Sequence, residues 1–398
     1  MNLKKSPLTV AIIHGLLLVW VVYSVLPFVM SIIASLQITR DATARVPRYM
    51  PSVLVDNNLL IAAFLAGLIL LAFVFIRRSD PEPTNIGHVL VLLAVMGLVV
   101  GGFLLATSTV PANQTFQITW NNYQVLWLSG TQDLTPVVFG LGLLGLVLTA
   151  AAIGATRLGV SSGMVYLGIA AIIFMTIVFL PNFVRFAEFY DFFLNSVIVT
   201  VGTVVISISI GCLAGYGLAR YSGFASVVLL FGALAFRALP RLAFILPYYY
   251  FAQLSGLYDT YFLLIVTFVA INQPFTIWML RSFFMDIPRE LEEAAMIDGC
   301  NRLTAFFRVI LPITWPGIVT TSLFTLLLAY NEFLLARILT STLWTLPVGI
   351  SRFTSGEDVR LLPLSNASAV SITIPIIFII IFFQRHLIKG LAGGAIKG

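Results

Sequence analysis

Residues 281–316 read RSFFMDIPRELEEAAMIDGCNRLTAFFRVILPITWP and form the densest polar block of the chain. The sequence around this block is strongly apolar: 60% of its 398 residues are hydrophobic and only 10% are charged. Soluble globular proteins carry about 25% charged residues, so this composition cannot cover a soluble surface. We therefore predict an all-α polytopic membrane protein, with residues 281–316 exposed at one side of the bilayer.

The polar block itself predicts a helix–turn–helix. Asp286 can cap a helix that starts with Pro288, because the fixed φ of proline suits a first helical turn. Three glutamates then lie early in this helix, where negative charge complements the helix dipole. We expect Gly299 to end the helix as a left-handed cap, and Asn301 to cap a second helix that runs to Ile310.

One face of the first helix is small and flat. Leu291, Ala294, Ala295 and Asp298 follow one another at helical spacing. Small residues let a partner protein approach closely, while Glu293 and Asp298 can accept charge-assisted hydrogen bonds. The residues alone leave two interpretations open: a docking face for another protein, or an amphipathic connector that rests on lipid headgroups.

Ten apolar runs have the length and composition of transmembrane helices, each of which needs about 20 residues. The first run exceeds the 7–15 apolar residues of a signal peptide, so we interpret it as an uncleaved anchor. The runs are Leu8–Leu36, Leu54–Ile76, Gly87–Ala106, Pro136–Ala155, Met164–Leu180, Ser196–Ala219, Phe224–Leu254, Tyr261–Leu280, Gly317–Ile338 and Ala367–Phe383.

The positions of Lys and Arg predict the orientation. With the N-terminus inside, 13 basic residues fall in inner segments and six in outer segments. Ten spans then place both termini in the cytoplasm. The basic residues form no cluster dense enough to bind nucleic acid, and two cysteines supply neither a disulfide framework nor a metal site.

The polar block resembles the EAA loop of binding-protein-dependent ABC transporter permeases. That pattern is Glu-Ala-Ala, three residues, Gly, nine residues, Ile, one residue, Leu-Pro, and Val309 here replaces the Ile. The matching positions are Glu293, Ala294, Ala295, Gly299, Leu311 and Pro312. The resemblance implies that the segment couples the permease to a separate ATPase subunit.

Further strings are similar to the carbohydrate, maltose-type branch of this family. They are Asn195-Ser196-Val197 with the later GYGLAR, the string RSFFMDIPRELEEAA, and the tail from Gln384 to Gly398. The resemblance covers residues 189–398 and the first helix. It implies a six-helix permease core formed by residues 1–36 and 189–398, with a coupling loop at 281–316 and a C-terminal tail at 384–398.

Residues 37–188 depart from the family pattern, since they add four apolar helices and outer loops to the six-helix core. Because four is an even number, the topology of the core is preserved. No catalytic or ligand-type residue is evident in these helices. Their role is not implied by the resemblance.

The resemblance also implies a set of partners: a second homologous permease, two ATPase subunits and an extracytoplasmic substrate-binding protein, in the inner membrane of a prokaryote. The chain has no G-x-x-x-x-G-K-[ST] loop, so it has no phosphate cradle of its own. It is expected to bind no cofactor, while ATP and Mg are held by the ATPases. The implied function is the import of a carbohydrate or polyol by alternating access, without catalysis by this chain.

Four polar residues near or within apolar runs are candidates for a substrate pathway: Arg237, Arg241, Asn331 and Glu332. Ionisable groups inside a bilayer are costly and usually face a cavity or a partner. The two arginines could attract hydroxyl-rich or anionic substrates, or they could pair with Glu332 or with a second permease. Asn331 and Glu332 could bind sugar hydroxyls or hold helices together.

Two alternatives remain for the function. The substrate could be an anionic sugar or a sugar-phosphate. In a different class, the chain could be a membrane-embedded enzyme or an export channel. An enzyme would need paired acids, a metal-binding set or a Ser/His pair, and the sequence displays none of these.

Overall fold

The structure is a computed structural model that describes residues 7–44, 48–79, 86–111, 114–129, 135–157, 168–169, 172, 175–176, 180, 184–221, 223–238, 240, 242–353, 358 and 361–395. These residues are mostly helical, as predicted. The elements are α1 (Pro7–Ser35), α2 (Thr39–Ala42), β1 (Met50–Pro51), α3 (Ser52–Asp56), α4 (Asn58–Ser79), α5 (Ile86–Ser108), β2 (Thr115–Phe116), α6 (Asn121–Trp127), α7 (Thr135–Arg157), α8 (Glu188–Arg220), α9 (Phe224–Ala238), α10 (Leu242–Ser255), α11 (Tyr261–Met285), α12 (Arg289–Ile297), α13 (Arg302–Ala305), a π-helical turn (Phe306–Ile310), α14 (Leu311–Ile313), α15 (Trp315–Tyr330), α16 (Leu334–Leu339), α17 (Leu346–Ile350) and α18 (Leu362–Ala395).

Among the described residues, three helices are long and apolar enough to cross a membrane: α8, α11 and the part of α18 from Leu362 to Gln384. Residues 302–313 and α15 make a fourth candidate span if they are counted together, although they meet at a bend of 76°. The predicted total of ten spans and the cytoplasmic placement of both termini stay predictions. Most of the predicted run at 164–180 lies outside the described residues.

Two predicted helices are broken in their interior, and the run at 54–76 begins in α3 and continues as α4 after Asn57. The run at 224–254 is broken at Pro240 into α9 and α10; proline lacks an N–H and its ring clashes with the preceding turn of a helix. The run at 317–338 is interrupted after Tyr330 and continues as α16. At this second break the buried carboxylate of Glu332 accepts a hydrogen bond from the Leu335 amide, at 3.3 Å.

Contacts divide the chain into two compact units, of which the first contains residues 1–126 and 353–370. In this unit β1 and β2 form a short parallel pair, with Met50 opposite Thr115 and Pro51 opposite Phe116. The side chain of Asn122 donates to the carbonyl oxygens of Ser35 and Gln37, both at 2.8 Å. These bonds hold the segment after α5 against the segment after α1.

The second unit contains residues 127–352 and 371–398. Its centre is formed by α8, α11 and α15, which pack on one another. A line of buried hydroxyl groups crosses the three helices: Ser207 donates to Thr276 at 3.1 Å, and Thr276 is 3.1 Å from Thr325. Hydrogen bonds of this kind join helices in an apolar environment. The predicted division into residues 1–36, 37–188 and 189–398 stays a prediction.

Candidate functional site

The polar block forms two short helices joined by a tight turn, as predicted. Gly299 follows α12 with φ +90°, a conformation that glycine adopts without the steric cost of a Cβ. Asn301 caps α13, because its side-chain oxygen accepts the Thr304 amide at 2.8 Å. The second helix does not continue regularly to Ile310, since residues 306–310 widen into a π-helical turn.

The start of α12 differs from the prediction in detail. The helix begins at Arg289, so Pro288 is the flanking residue, with extended backbone at φ −56° and ψ 139°. Two of its acidic side chains, those of Glu290 and Glu292, lie in the first turn, as the dipole argument predicted. Pro288, the residue directly before the helix, makes no side-chain cap bond, and the cap by Asp286 stays a prediction.

Glu292 anchors α12 to the end of α8. Its carboxylate accepts hydrogen bonds from Arg220 Nε at 2.8 Å and from the Tyr216 hydroxyl at 2.5 Å. The side chains of Glu292 and Arg220 are only 10% and 15% exposed. This ion pair is therefore largely shielded from water, and removing one partner would leave the other charge buried and uncompensated.

Three further bonds join the same helix ends. Arg220 Nη1 donates to the Ile287 carbonyl at 3.2 Å, and Arg289 Nη2 donates to the Arg220 carbonyl at 3.3 Å. From α11, Arg281 Nε donates to the Leu218 carbonyl at 3.2 Å. Beside these bonds an apolar cluster closes the helix ends; it contains Cys212, Leu280, Phe284, Ile287, Phe306, Ile310 and Ile318.

The sequence motif singled out Glu293, but the buried contact belongs to its neighbour Glu292. A helix advances 100° per residue, so adjacent glutamates point in different directions. Here Glu292 faces α8 and Glu293 is exposed. In the sequence, Arg220 stands only in the family string GYGLAR, with three helices between it and the helix of the glutamates, so no local pattern pairs it with Glu292.

The remaining motif residues divide between an inner and an outer side of the segment. Ala295 is 7% exposed and packs inward, while Leu311 packs against the apolar cluster. Glu293, Ala294, Asp298, Gly299 and Pro312 are exposed. The predicted small face is thus only partly free, because Ala295 is covered.

The exposed side of α12 carries an apolar patch. Ile297 is 86% exposed and Leu291 is 42% exposed. Leu303, on the next helix, is 63% exposed. Between the helices lies an open groove of about 140 Å³, lined by Arg220, Arg289, Glu292, Glu293, Met296 and Arg302. The segment therefore presents apolar side chains and charged side chains together.

The four pathway candidates occupy different local settings. The Arg237 guanidinium lies 4.9 Å from the centre of the Phe275 ring, a cation–π contact. Asn331 is exposed, and its amide donates to the Leu327 carbonyl at 2.8 Å. Glu332 is 5% exposed at the start of α16, and Arg241 lies outside the described residues. That these residues line a pathway stays a prediction.

Among the described residues, no group of three or more His, Cys, Asp or Glu could hold a metal ion. Described helices long and apolar enough to cross a membrane, together with the polar segment between α11 and α15, are the features of a helical membrane protein. A family model described as "Binding-protein-dependent transport system inner membrane component" matches residues 207–393.

Relatives extend this match over about half of the chain. The trehalose transport system permease protein SugB of Mycobacterium tuberculosis is 36% identical over 209 residues, which are 52% of this chain and 76% of SugB. The sulfoquinovosyl glycerol transport system permease protein SmoH of Agrobacterium fabrum is 35% identical over 209 residues, 52% of this chain and 73% of SmoH. The chain belongs to the family of binding-protein-dependent ABC transporter permeases, a class of non-catalytic inner-membrane components.

One solved structure is also similar. It is described as a bacterial ABC transporter involved in the import of the acidic polysaccharide alginate. The similarity covers 65% of this chain and 99% of the matched chain, with 20% sequence identity and a TM-score of 0.44.

Proposed function

We propose that this chain is one transmembrane permease subunit of an ATP-driven ABC importer for a carbohydrate or polyol. Family membership and the naming of SugB as a trehalose permease support the substrate class. The observation that carries the coupling role is the geometry of α12: one side is bonded to α8 through Glu292, and the opposite side exposes Ile297. A helix held in this way can receive force from one protein and pass it to another helix.

The proposed mechanism uses separate ATPase subunits, which hold ATP and Mg. When the two ATPases close, they move α12 and the turn at Gly299. The buried Glu292–Arg220 pair transmits this movement to α8, which packs on α11 and α15. The helices then move as bodies and expose the substrate site alternately to the outside and to the cytoplasm.

The other partners follow from the same proposal. An extracytoplasmic binding protein delivers the substrate, and a second homologous permease completes the pathway. The subunit lies in the inner membrane of a prokaryote and crosses it several times, with the segment at 281–316 and both termini in the cytoplasm. Arg237, Arg241, Asn331 and Glu332 are the residues that we assign to the substrate pathway.

A change at Ile297 tests the coupling proposal. The side chain is 86% exposed, so Ile297→Glu should leave the fold of the chain intact. It would place a charge in the apolar centre of a docking surface, where an uncompensated buried charge is costly. We expect the ATPase to be lost when the variant permease is purified from cells that express the whole transporter, and transport to stop.

Ile297→Leu is the matched control, because it keeps the apolar surface, and it should retain the ATPase. If Ile297→Glu retained the ATPase as well as the native chain does, α12 would not be the docking helix. Equal loss of the ATPase from Ile297→Glu and Ile297→Leu would also contradict the proposal, since binding would then not depend on an apolar side chain at this position.

An anionic sugar is the second candidate substrate. SmoH is named for sulfoquinovosyl glycerol, whose sugar carries a sulfonate, and Arg237 brings a positive charge into an apolar region. A binding scan of the cognate binding protein across neutral and anionic sugars separates the two. Tight binding of neutral sugars alone would refute the anionic variant.

A further inference from the structure

Away from the polar block, the first compact unit contains a pocket of about 370 Å³. Small-molecule sites commonly measure about 300–1,000 Å³. The pocket is lined by Ile38, Arg40, Asp41, Arg48, Ser52, Thr115, Phe116 and Gln117. It therefore combines residues that follow α1 with residues that follow α5.

Hydrogen bonds hold the two sides of the pocket together. The parallel β1–β2 pair joins its two sides, and the Thr119 amide donates to the Leu36 carbonyl at 2.9 Å. The side chain of Gln37, which is 5% exposed, donates to the Arg48 carbonyl. Phe116, only 2% exposed, is the most buried apolar residue of the lining. These contacts hold the polar side chains of the lining in place before any molecule binds.

The charges of the pocket do not cancel. Asp41 is 6% exposed and accepts from Arg48 Nη1 at 2.6 Å, so this pair is balanced and Arg48 is held in position. Arg40 is exposed and its guanidinium has no ion pair or hydrogen bond to any described residue. Two guanidinium groups against one carboxylate leave the pocket with one positive charge.

Neutral donors complete the lining. The Ser52 hydroxyl and the Gln117 amide make no hydrogen bond to the part of the chain that the structure describes. Together with Arg40 and the remaining N–H groups of Arg48 they offer several donors to one bound group. Donors around a net positive charge suit oxygen atoms that share a single negative charge, because charge-assisted hydrogen bonds are the stronger kind.

We propose that this pocket is a binding site for one monoanionic oxyacid group: a phosphate, sulfonate or carboxylate. Arg40 supplies its charge, Arg48 is positioned by Asp41, and Ser52 and Gln117 supply neutral donors. The group can belong to a soluble anion or to a lipid headgroup, since the lining residues follow the apolar helices α1 and α5 and include the first residue of α3. With the N-terminus in the cytoplasm, as the charge distribution predicts, the site faces outside. This proposal does not depend on sugar import.

The test uses the full-length chain and the variant Arg40→Gln. In the first arm, inorganic phosphate and D-glucuronate are titrated into detergent-purified protein by calorimetry. In the second arm, protein from nanodiscs of phosphatidylcholine with phosphatidylglycerol is analysed by native mass spectrometry for a retained anionic lipid. Losing one charged hydrogen-bonding group should weaken binding about tenfold or more.

Two controls lie in α2 or directly after it. Arg40→Lys keeps the charge and should retain most of the binding. Thr43 follows α2 directly, its hydroxyl donates to the Thr39 carbonyl, and it does not line the pocket, so Thr43→Val should bind as the native chain does.

The arms identify the source of the anion. Arg40-dependent binding of the soluble probes assigns the site to a free anion, and Arg40-dependent retention of phosphatidylglycerol alone assigns it to a headgroup. Equal binding by the native chain and Arg40→Gln in both arms would overturn the proposal. Equal loss in Thr43→Val would overturn it too, because the effect would then come from the stability of α2.

Discussion

Replacing Glu292 by Gln tests the link between α12 and α8 most directly. The change keeps the size of the side chain but removes the negative charge that faces Arg220 and Tyr216 at 2.8 and 2.5 Å. One amide oxygen can still accept a hydrogen bond, whereas the amide nitrogen cannot. The guanidinium, 15% exposed, is left without its counter-charge.

The expected cost follows from this geometry. Removing one partner of a buried ion pair costs about 3–5 kcal/mol, and the retained acceptor and the residual exposure place Glu292→Gln near the lower end. About 3 kcal/mol corresponds to a change of roughly a hundredfold in an equilibrium constant. The cost falls on local opening of α12, because the pair joins this helix to the end of α8.

Hydrogen–deuterium exchange of the α12 amides is the appropriate measurement. Glu292→Gln should speed exchange roughly a hundredfold at residues 293–297 and leave the amides of α15 unchanged. Tyr216→Phe removes a single hydrogen bond to the carboxylate and should have a smaller effect, about 1.5 kcal/mol.

The double variant Arg220→Met with Glu292→Leu supplies the control. It replaces the pair by apolar side chains, which often restores stability, so exchange should return most of the way to the native rate. Unchanged exchange in Glu292→Gln would refute the anchoring role. An additive loss in the double variant would refute the ion pair as its cause.

Three further predictions rest on single residues. Burial alone would raise the pKa of the Asp259 carboxyl, but hydrogen bonds from residues 341–343 outweigh burial and lower the pKa from 3.8 to about 2. The amides of residues 341–343 should therefore be fully protected from hydrogen exchange above pH 3.8 and lose this protection as the pH falls through about 2. Asp259→Asn should abolish this pH dependence in hydrogen exchange. A Cβ at Gly215 would lie 3.1 Å from a backbone nitrogen of α11, so Gly215→Ala should lower the free energy of unfolding by about 1–3 kcal/mol, measured by denaturation. Gly217 has open space around it, so Gly217→Ala should not lower the free energy of unfolding. Gly299→Ala would require a residue with a Cβ to adopt φ +90°. This should destabilise the turn by about 1–2 kcal/mol and be measured as faster hydrogen exchange at the end of α12.

Each of these predictions can fail. Protection at residues 341–343 that did not change between pH 5 and pH 2 would contradict the role of the Asp259 carboxylate. Equal effects of alanine at Gly215 and Gly217 would contradict close packing of α8 on α11. A harmless Gly299→Ala would mean that the turn after α12 tolerates another conformation.

Features that depend on neighbouring residues were predictable. The caps at Gly299 and Asn301 were expected from the residue types and are observed, because a cap is a bond within one or two turns of the chain. The apolar helices were expected for a similar reason, although their breaks were not. Pro240 was visible as a helix breaker, yet a long apolar run outweighed it in the sequence analysis.

Features that depend on distant residues were not predictable. The motif Glu-Ala-Ala drew attention to Glu293, whereas the buried bonds are made by Glu292 to a helix some 70 residues earlier. The two glutamates have the same chemistry and differ only in the direction in which α12 presents them. The pocket beside Arg40 was missed too, since its two sides lie on separate segments and neither contains a motif.

The sequence by itself determined that this protein is a helical membrane component, because so few charged residues cannot cover a soluble surface. It also determined the family, because the EAA pattern lies in one continuous segment. Only the tertiary structure decided which glutamate is buried, where two long apolar runs break, and that Arg40 and Gln117 line one pocket. The physical reason is the distance along the chain between interacting residues. Composition and motifs depend on residues near one another in sequence. Whether a charged side chain forms a buried ion pair or lines a binding pocket depends on distant residues that folding brings next to it.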